Sequence, residues 1–296
     1  NKIFQIFSKI RYPYQYNTGD VPTTGMTSFL FTLLLAGVYR LGVTGEALVA
    51  VAVRLGVLWL GLTAWLVYRV IRKLPQPHPV GRQGVILLTI TLTVSLGALQ
   101  WGYFNGMETG LFTVLLLAAL DALLGERYGM GSIWLGLAGL TRPEGLILAL
   151  ITCGVVFVCG LFRKVPSWQN VVATEEPPRA FRWGPLVILS LALLGGLLPS
   201  LLGAWATGDF SAASLQAKSW LYNVPAYPRE IMRSILFSYG RILRQFVGFA
   251  PLKDWFVPPG VFIVALVGWG GLLWRRRWWP LLLTLAWFFG GTFALA

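Results

Sequence analysis

Charged residues are scarce in this sequence of 296 residues, and histidine and cysteine are nearly absent. Asp, Glu, Lys and Arg make up 12% of the chain, against about a quarter in an average soluble domain. Hydrophobic residues make up 56%, and the mean hydropathy is +0.68. This balance argues against a water-soluble domain and predicts an integral membrane protein.

The shortage of histidine and cysteine excludes several kinds of chemistry. The one histidine, His78, lies in a Pro-rich linker, so the sequence offers no pair of imidazoles for a metal and no histidine-based triad. Cys153 and Cys159 lie inside a single apolar run, which argues against a disulfide framework and against a metal cluster. Any acid–base chemistry must therefore use carboxylates, and no metal site is predicted.

The net charge of +13 is high, but its distribution does not indicate a nucleic-acid partner. Lys and Arg lie at the ends of apolar runs and in the loops between them, which is the pattern of a membrane protein. We therefore expect no binding of nucleic acid.

Long apolar runs recur along the chain, and they predict an all-α, polytopic transmembrane helical bundle. About 20 apolar residues cross a hydrocarbon core of about 30 Å, and the runs lack the alternation of an outer-membrane barrel. Ser132–Leu140 is too short to cross alone. The predicted spans are Ala47–Tyr68, Gly84–Trp101, Gly106–Leu124, Ser132–Leu140, Glu144–Phe162, Gly184–Ala206, Pro259–Trp274 and Trp278–Ala296.

Four parts of the chain follow from these runs. Residues 1–46 form an outer-face loop with a juxtamembrane helix, and 47–206 form the transmembrane core. Residues 207–258 form an outer-face loop with interfacial helices, and 259–296 form a C-terminal transmembrane hairpin. The chain begins without Met, lacks a signal peptide and ends inside an apolar run, so we expect it to be an N-terminally incomplete fragment.

The orientation follows from the cations, which collect in cytoplasmic loops. The alternation holds only if Thr27–Leu41, although apolar, stays on the outer face as an interfacial or re-entrant helix. The alternative is an ordinary span whose orientation is set by sequence upstream of Asn1. The predicted cytoplasmic cations are Arg69, Arg72, Lys73, Arg82, Arg127, Arg163, Lys164, Arg179, Arg182, Arg275, Arg276 and Arg277.

Polar residues near the outer ends of the predicted spans are the candidate functional residues, since charges there are costly. Asp20 lies in a turn-rich run, and Asn105 with Glu108 has the spacing of a capping box. Thr141 and Glu144 have the same spacing. Ordinary turns and helix caps remain the structural alternative for these groups.

Cations on the same predicted face suggest a phosphate ligand. Arg142 interrupts an apolar stretch just before a predicted helix N-terminus, a standard setting for a phosphate oxygen. Lys218 follows a span and lies beside Trp220, and Arg54 lies two turns into its span. A snorkelling lysine is the alternative reading of Lys218. Together these residues describe a site for a phosphorylated amphiphile.

In these motifs the chain resembles the C-type superfamily of integral membrane glycosyltransferases, which use polyprenyl-phosphate sugars. It is similar to the bacterial branch of arabinofuranosyltransferase- and mannosyltransferase-like proteins, which includes mycobacterial cell-wall enzymes. The superfamily has an acidic pair in its first outer loop, which here would lie upstream of Asn1. The resembling pieces are Tyr16–Asp20, Thr24–Ser28, Gly106–Phe112, Leu140–Gly145 and Ala217–Lys218.

The resemblance implies inverting transfer of a pentosyl or hexosyl group at the outer face of a bacterial plasma membrane. Asp20 and Glu108 are then the catalytic carboxylates, and Arg142, Lys218 and Arg54 bind the donor phosphate. Membrane lipid and partner membrane subunits are the other expected partners. A divalent cation is compatible with this chemistry, although no ligand cluster in the sequence calls for one. Glu144 and Asn105 are supporting residues.

Two other classes of protein fit the composition. A non-catalytic transmembrane subunit would keep the same helical scaffold within a larger complex. A transporter or flippase would show paired broken helices in two related halves, and only the break at Thr141–Pro143 fits that pattern.

The orientation can be tested by cysteine labelling in a variant that lacks Cys153 and Cys159. We expect cysteines at Thr18 and Thr44 to react equally with an impermeant maleimide from outside, because the segment between them does not cross the bilayer. A cysteine at Ser167, in a predicted cytoplasmic linker, is the protected control. Opposite accessibility of positions 18 and 44 would contradict the scheme.

Overall fold

The computed structural model describes residues 28–73, 79–95, 97–161, 183–207, 227–247, 260–275 and 277–295, and this part of the chain is helical throughout, with short turns. Apolar runs without alternation favour helices, because each helix satisfies its own backbone hydrogen bonds. The helices are α1 Phe29–Arg40, α2 Glu46–Lys73, α3 Pro79–Ser95, α4 Gly97–Phe104, α5 Thr109–Leu124, α6 Tyr128–Thr141, α7 Glu144–Leu161, α8 Trp183–Thr207, α9 Pro228–Val247, α10 Gly260–Trp274 and α11 Trp278–Leu295.

One predicted span is wrong as a single helix. The run Gly84–Trp101 is divided between α3 and α4, which begins at Gly97. Glycine weakens a helix, and at the end of α3 polar side chains donate hydrogen bonds to backbone carbonyls. Ser95 Oγ donates to the carbonyl of Leu92 at 3.2 Å, and Gln100 Nε2 donates to the carbonyl of Val94 at 3.1 Å.

Two helices of the described residues are long and apolar enough to cross a membrane, Glu46–Lys73 and Leu186–Trp205. Only 22% of the apolar window of each is buried, so both present large apolar faces to the outside. Six further apolar helices are shorter than a full span.

Two hydrophobic clusters form the interior, and α5 and α6 contribute to both. The first includes Leu123, Leu135 and Trp279, and joins α5 and α6 to α7, α8 and α11. The second includes Trp59 and Tyr103, and joins α5 and α6 to α1, α2 and α4. The α5–α6 hairpin is therefore the centre of the described structure.

Helix α1 lies within the segment Thr27–Leu41, which the sequence predicts to stay on the outer face. Its 12 residues span about 18 Å at 1.5 Å per residue, short of a hydrocarbon core of about 30 Å. Phe31 is buried in the second cluster, so α1 is packed on the bundle. Its position on the outer face stays a prediction.

Helix α9 lies in the predicted outer-face loop 207–258, where interfacial helices were expected. At 100° per residue, Ile235, Tyr239 and Ile242 fall on one side of it. The opposite side carries Arg233, Arg241 and Arg244. This is the pattern of a helix that lies flat in a membrane interface.

Glycines let α6 and α8 approach at backbone distance. A Cβ atom added to Gly195 would lie 2.5 Å from the carbonyl oxygen of Gly136, and one added to Gly139 would lie 2.7 Å from Cα of Gly196. Such small-residue contacts are typical of helix pairs in membranes. They hold α6, and the break at its end, in a fixed position.

Gly195→Ala should lower the free energy of unfolding by about 2 kcal/mol, because the new methyl group would overlap a neighbouring backbone. The matched control is Gly154→Ala in α7, where a Cβ meets nothing within 4 Å. That change should be neutral or stabilise by about 0.5 kcal/mol. Denaturant titration of both variants in detergent, followed by Trp fluorescence, measures the difference; equal stabilities would contradict the close packing.

Candidate functional site

Two short connections, 105–108 and 142–143, bring three charged residues together at one end of the bundle. The first precedes α5 and carries Glu108, and the second joins α6 to α7 and carries Arg142. Glu144 is the first residue of α7. We call Glu108, Thr109, Arg142 and Glu144 the Arg142 cluster.

The turn before α5 depends on glycine. Gly106 has φ +72°, a left-handed conformation that favours glycine, and the site of its absent Cβ faces Ala52 and Val53 of α2 at 3.8 Å. Asn105 Oδ1 accepts a hydrogen bond from the backbone N–H of Met107 at 2.9 Å. The structural alternative for Asn105 and Glu108, a capping box, is therefore not formed. Glu108 itself occupies the N-cap of α5, and its side chain makes no capping hydrogen bond.

The capping box that was the structural alternative for Thr141 and Glu144 is not formed either. Thr141 ends α6, and its hydroxyl donates to the carbonyl of Leu137 at 2.8 Å instead of capping α7. Arg142 is extended, with φ −148° and ψ 142°, which ends the helix before Pro143 as expected. Gly145 then packs directly on α6, since a Cβ there would lie 2.5 Å from the backbone of Ala138. This contact holds the first turn of α7 against α6.

The guanidinium of Arg142 links three helices through its contacts. Its Nη2 and Nε donate to the carboxylate of Glu144 at 3.2 and 3.4 Å, and its Nη1 donates to the hydroxyl of Thr109 at 3.4 Å. Nη1 also lies 3.9 Å from Oε1 of Glu108. The group lies 5.8 Å from the ring centre of Phe112, within range of a cation–π contact. Arg142, Glu108 and Glu144, which the predicted topology places on one face, therefore lie together.

The cluster carries two carboxylates and one guanidinium, so its formal charge is negative. The Glu108 side chain is 12% exposed and that of Arg142 is 30% exposed, which leaves the cation more accessible than the carboxylate. Helices α5 and α7 begin here and α6 ends here, which together contribute about half a positive charge. The net charge of the cluster is thus slightly negative, and its most accessible charged group is the Arg142 guanidinium.

The other predicted site residues are not part of this cluster. Arg54 is exposed on α2, next to the residues that contact Gly106, and makes no ion pair within the described part of the chain. Asp20 and Lys218 lie outside the described residues. Among the residues that the structure describes, no group of three or more His, Cys, Asp or Glu comes together to hold a metal ion.

The opposite end of the bundle holds a second charged cluster that sequence reasoning missed. Asp121 of α5 lies 2.9 Å from Arg69, 2.5 Å from Lys73 and 2.9 Å from Arg127. We call these four residues the Asp121 cluster. The sequence did contain a signal for this cluster: Asp121 lies inside an apolar run, and a buried carboxylate requires a partner. The predicted grouping of these three cations on one face is correct.

Comparison with protein-family models, with curated proteins and with solved structures finds no match for this chain. The assignment of a function therefore rests on the chemistry of the residues.

A double-mutant cycle tests the geometry of the Arg142 cluster. Arg142→Gln combined with Glu144→Gln should give a coupling free energy of about 1 kcal/mol, because these partly buried groups share two hydrogen bonds. The matched cycle with Glu108→Gln should give a smaller value, since its oxygen is 3.9 Å away. The measurement is denaturant unfolding in detergent. A larger coupling for Glu108 would contradict the described arrangement.

Proposed function

We propose that this chain is a polytopic membrane glycosyltransferase that moves a sugar from a polyprenyl-phosphate donor to an acceptor hydroxyl, at the membrane face where α5 and α7 begin. The observation that carries the proposal is the Arg142 cluster. It places a buried carboxylate and a more exposed guanidinium together at the starts of two helices.

The membrane setting is supported by the apolar exterior. Val57, Leu87, Leu194 and Val267 are each at least 62% exposed, on four different helices. Apolar surface of this extent is rare on a soluble monomer and is normal on a face in contact with lipid. Charge collects at the two ends of the α5–α6 hairpin, with apolar residues between them, which is the distribution expected of a membrane bundle.

Binding of the donor phosphate is supported at the start of α5. The first backbone N–H groups of a helix lack partners within the helix, and α5 has no side-chain cap. The Nη1 atom of Arg142 points to Thr109 in this same turn. Its Nη2 and Nε atoms are bound to Glu144, which orients the guanidinium. A phosphate oxygen would thus meet a positioned cation together with backbone donors.

Glu108 is the proposed proton acceptor among the described residues. General-base catalysis of this kind contributes about 10² to 10⁴ in rate. Stabilisation of the departing phosphate by Arg142 adds to that effect. Asp20 stays a second candidate from the sequence, and Lys218 and Arg54 stay candidates for further phosphate contacts. The sugar transferred and the acceptor are left open by these residues.

A second candidate function is a non-catalytic membrane subunit. The favouring observation is that Arg142 contacts Glu144, Thr109 and Glu108 at once, so the cluster ties together α5, α6 and α7 without a ligand. In that case its task is to hold the scaffold.

Arg142→Lys separates the two functions. If Arg142 binds phosphate, the point charge of lysine should lower turnover by about 10- to 100-fold, because it cannot reproduce the planar donors of arginine. The measurement is sugar transfer by the reconstituted protein with a polyprenyl-phosphate sugar, together with donor binding and the melting temperature.

Thr141→Ala is the matched control, because its hydroxyl is bonded to Leu137 inside α6 and not to the cluster. It should lower the stability by about 1 kcal/mol and leave turnover near that of the parent. If Arg142→Lys binds and turns over the donor like the parent, then Arg142 is structural and the glycosyltransferase proposal loses its phosphate site.

A further inference from the structure

The Asp121 cluster lies at the far end of the bundle from the Arg142 cluster, at the ends of α2 and α5 and the start of α6. Lys73 also donates to the backbone carbonyl of Asp121, and Arg127 and Arg69 both reach Oδ2 of its carboxylate. The Asp121 side chain is 5% exposed, whereas those of Arg69, Lys73 and Arg127 are 34%, 27% and 50% exposed. The carboxylate is thus covered by three cations that remain accessible.

Two carboxylates cannot balance the cations that the structure describes at this end. The formal charges of these described residues leave an excess of two positive charges, and the helix termini change this little. Helices α2 and α5 end here and α6 begins here, which together contribute about half a negative charge. The charged residues counted are Arg69, Arg72, Lys73 and Arg127 against Asp121 and Glu126.

The residues around the three cations favour an anion bound at one defined position. Gly125 lets two of the cations come close together, since a Cβ there would lie 3.3 Å from Nζ of Lys73 and 3.4 Å from Nε of Arg127. Helix α6 starts at this point without a side-chain cap at its N-cap residue, so its first backbone N–H groups add donors.

We infer that the Asp121 cluster is a second phosphate-binding site, which takes the phosphate of an anionic phospholipid headgroup at the membrane surface opposite the proposed active site. Arg127 and Lys73 are the principal contacts, because both border Gly125. Asp121 is buried beneath the three cations and does not touch the ligand. The inference uses the proposed membrane setting, but it does not depend on glycosyl transfer.

The structural alternative is that the same cluster is an ion-pair network that only joins α2 to α5. Such a network would not be stabilised by excess positive charge, since one cation is enough to neutralise Asp121. The excess of cations, and their exposure around Gly125, point instead to an anionic ligand.

Native mass spectrometry of the full chain in detergent can test the site, with phosphatidylglycerol as the anionic probe and phosphatidylcholine as the neutral one. The parent should bind phosphatidylglycerol more tightly. Arg127→Gln, and separately Lys73→Gln, should weaken that binding about fivefold, since a cation near an anionic lipid surface contributes about 1 kcal/mol. Arg40→Gln, an exposed position at the end of α1, is the charge-matched control and should bind like the parent.

Asp121→Asn distinguishes a phosphate-binding site from a purely structural ion-pair network. It removes a negative charge, so affinity for phosphatidylglycerol should hold or rise even though the melting temperature falls. Affinity that falls together with stability in this variant would overturn the proposal. So would equal binding of the two lipids by the parent, or unchanged binding in both Arg127→Gln and Lys73→Gln.

Inorganic phosphate added as a competitor identifies the source of the ligand. Displacement of phosphatidylglycerol by millimolar phosphate would show that the site recognises the phosphate group by itself. Retention of the lipid would show that the acyl chains contribute and that a phospholipid is the ligand. Both results require the selectivity described above, and labelling of positions 18 and 44 tests the membrane setting separately.

Discussion

The packing of α5 against α6 is the contact on which the rest of the structure depends. Both helices take part in both hydrophobic clusters, so their relative position fixes what surrounds them. Because the two helices are joined by a short turn, their far ends must also lie together. Glu108 before α5 and Arg142 after α6 therefore meet at one end, while Asp121 and Arg127 meet at the other.

Glycine makes this arrangement possible at each contact. Gly110 at the start of α5 lies against Tyr103 and Trp59, and Gly145 at the start of α7 lies against the backbone of α6. Each of these glycines follows a glutamate by one or two residues. The close approach that glycine permits draws the carboxylates of Glu108 and Glu144 toward the bundle, where they meet Arg142.

The two charged clusters differ in the sign of their excess, and this difference suggests different tasks. At the Arg142 cluster, carboxylates outnumber the cation, which suits a proton acceptor and a positioned guanidinium. At the Asp121 cluster, cations outnumber the carboxylate, which suits a standing electrostatic attraction for phosphate. Excess charge of one sign is unfavourable in a helix bundle unless a ligand, a lipid surface or solvent balances it.

The sequence by itself determined that the described part of the chain is helical and where most of its helices begin and end, because long apolar runs and the break at Arg142–Pro143 act locally. It also determined that Arg69, Lys73 and Arg127 share an end, since alternation of helix direction follows from short loops. The roles of Thr141 and Asn105 could not be read in this way, because capping-box spacing also fits a hydroxyl bonded within its own helix and an amide bonded within its own turn. Only the tertiary structure decided that Asp121 gathers three cations and that Glu144, not a helix cap, holds Arg142. These contacts join residues from different helices, and the distances between helices depend on glycine packing that no local pattern records.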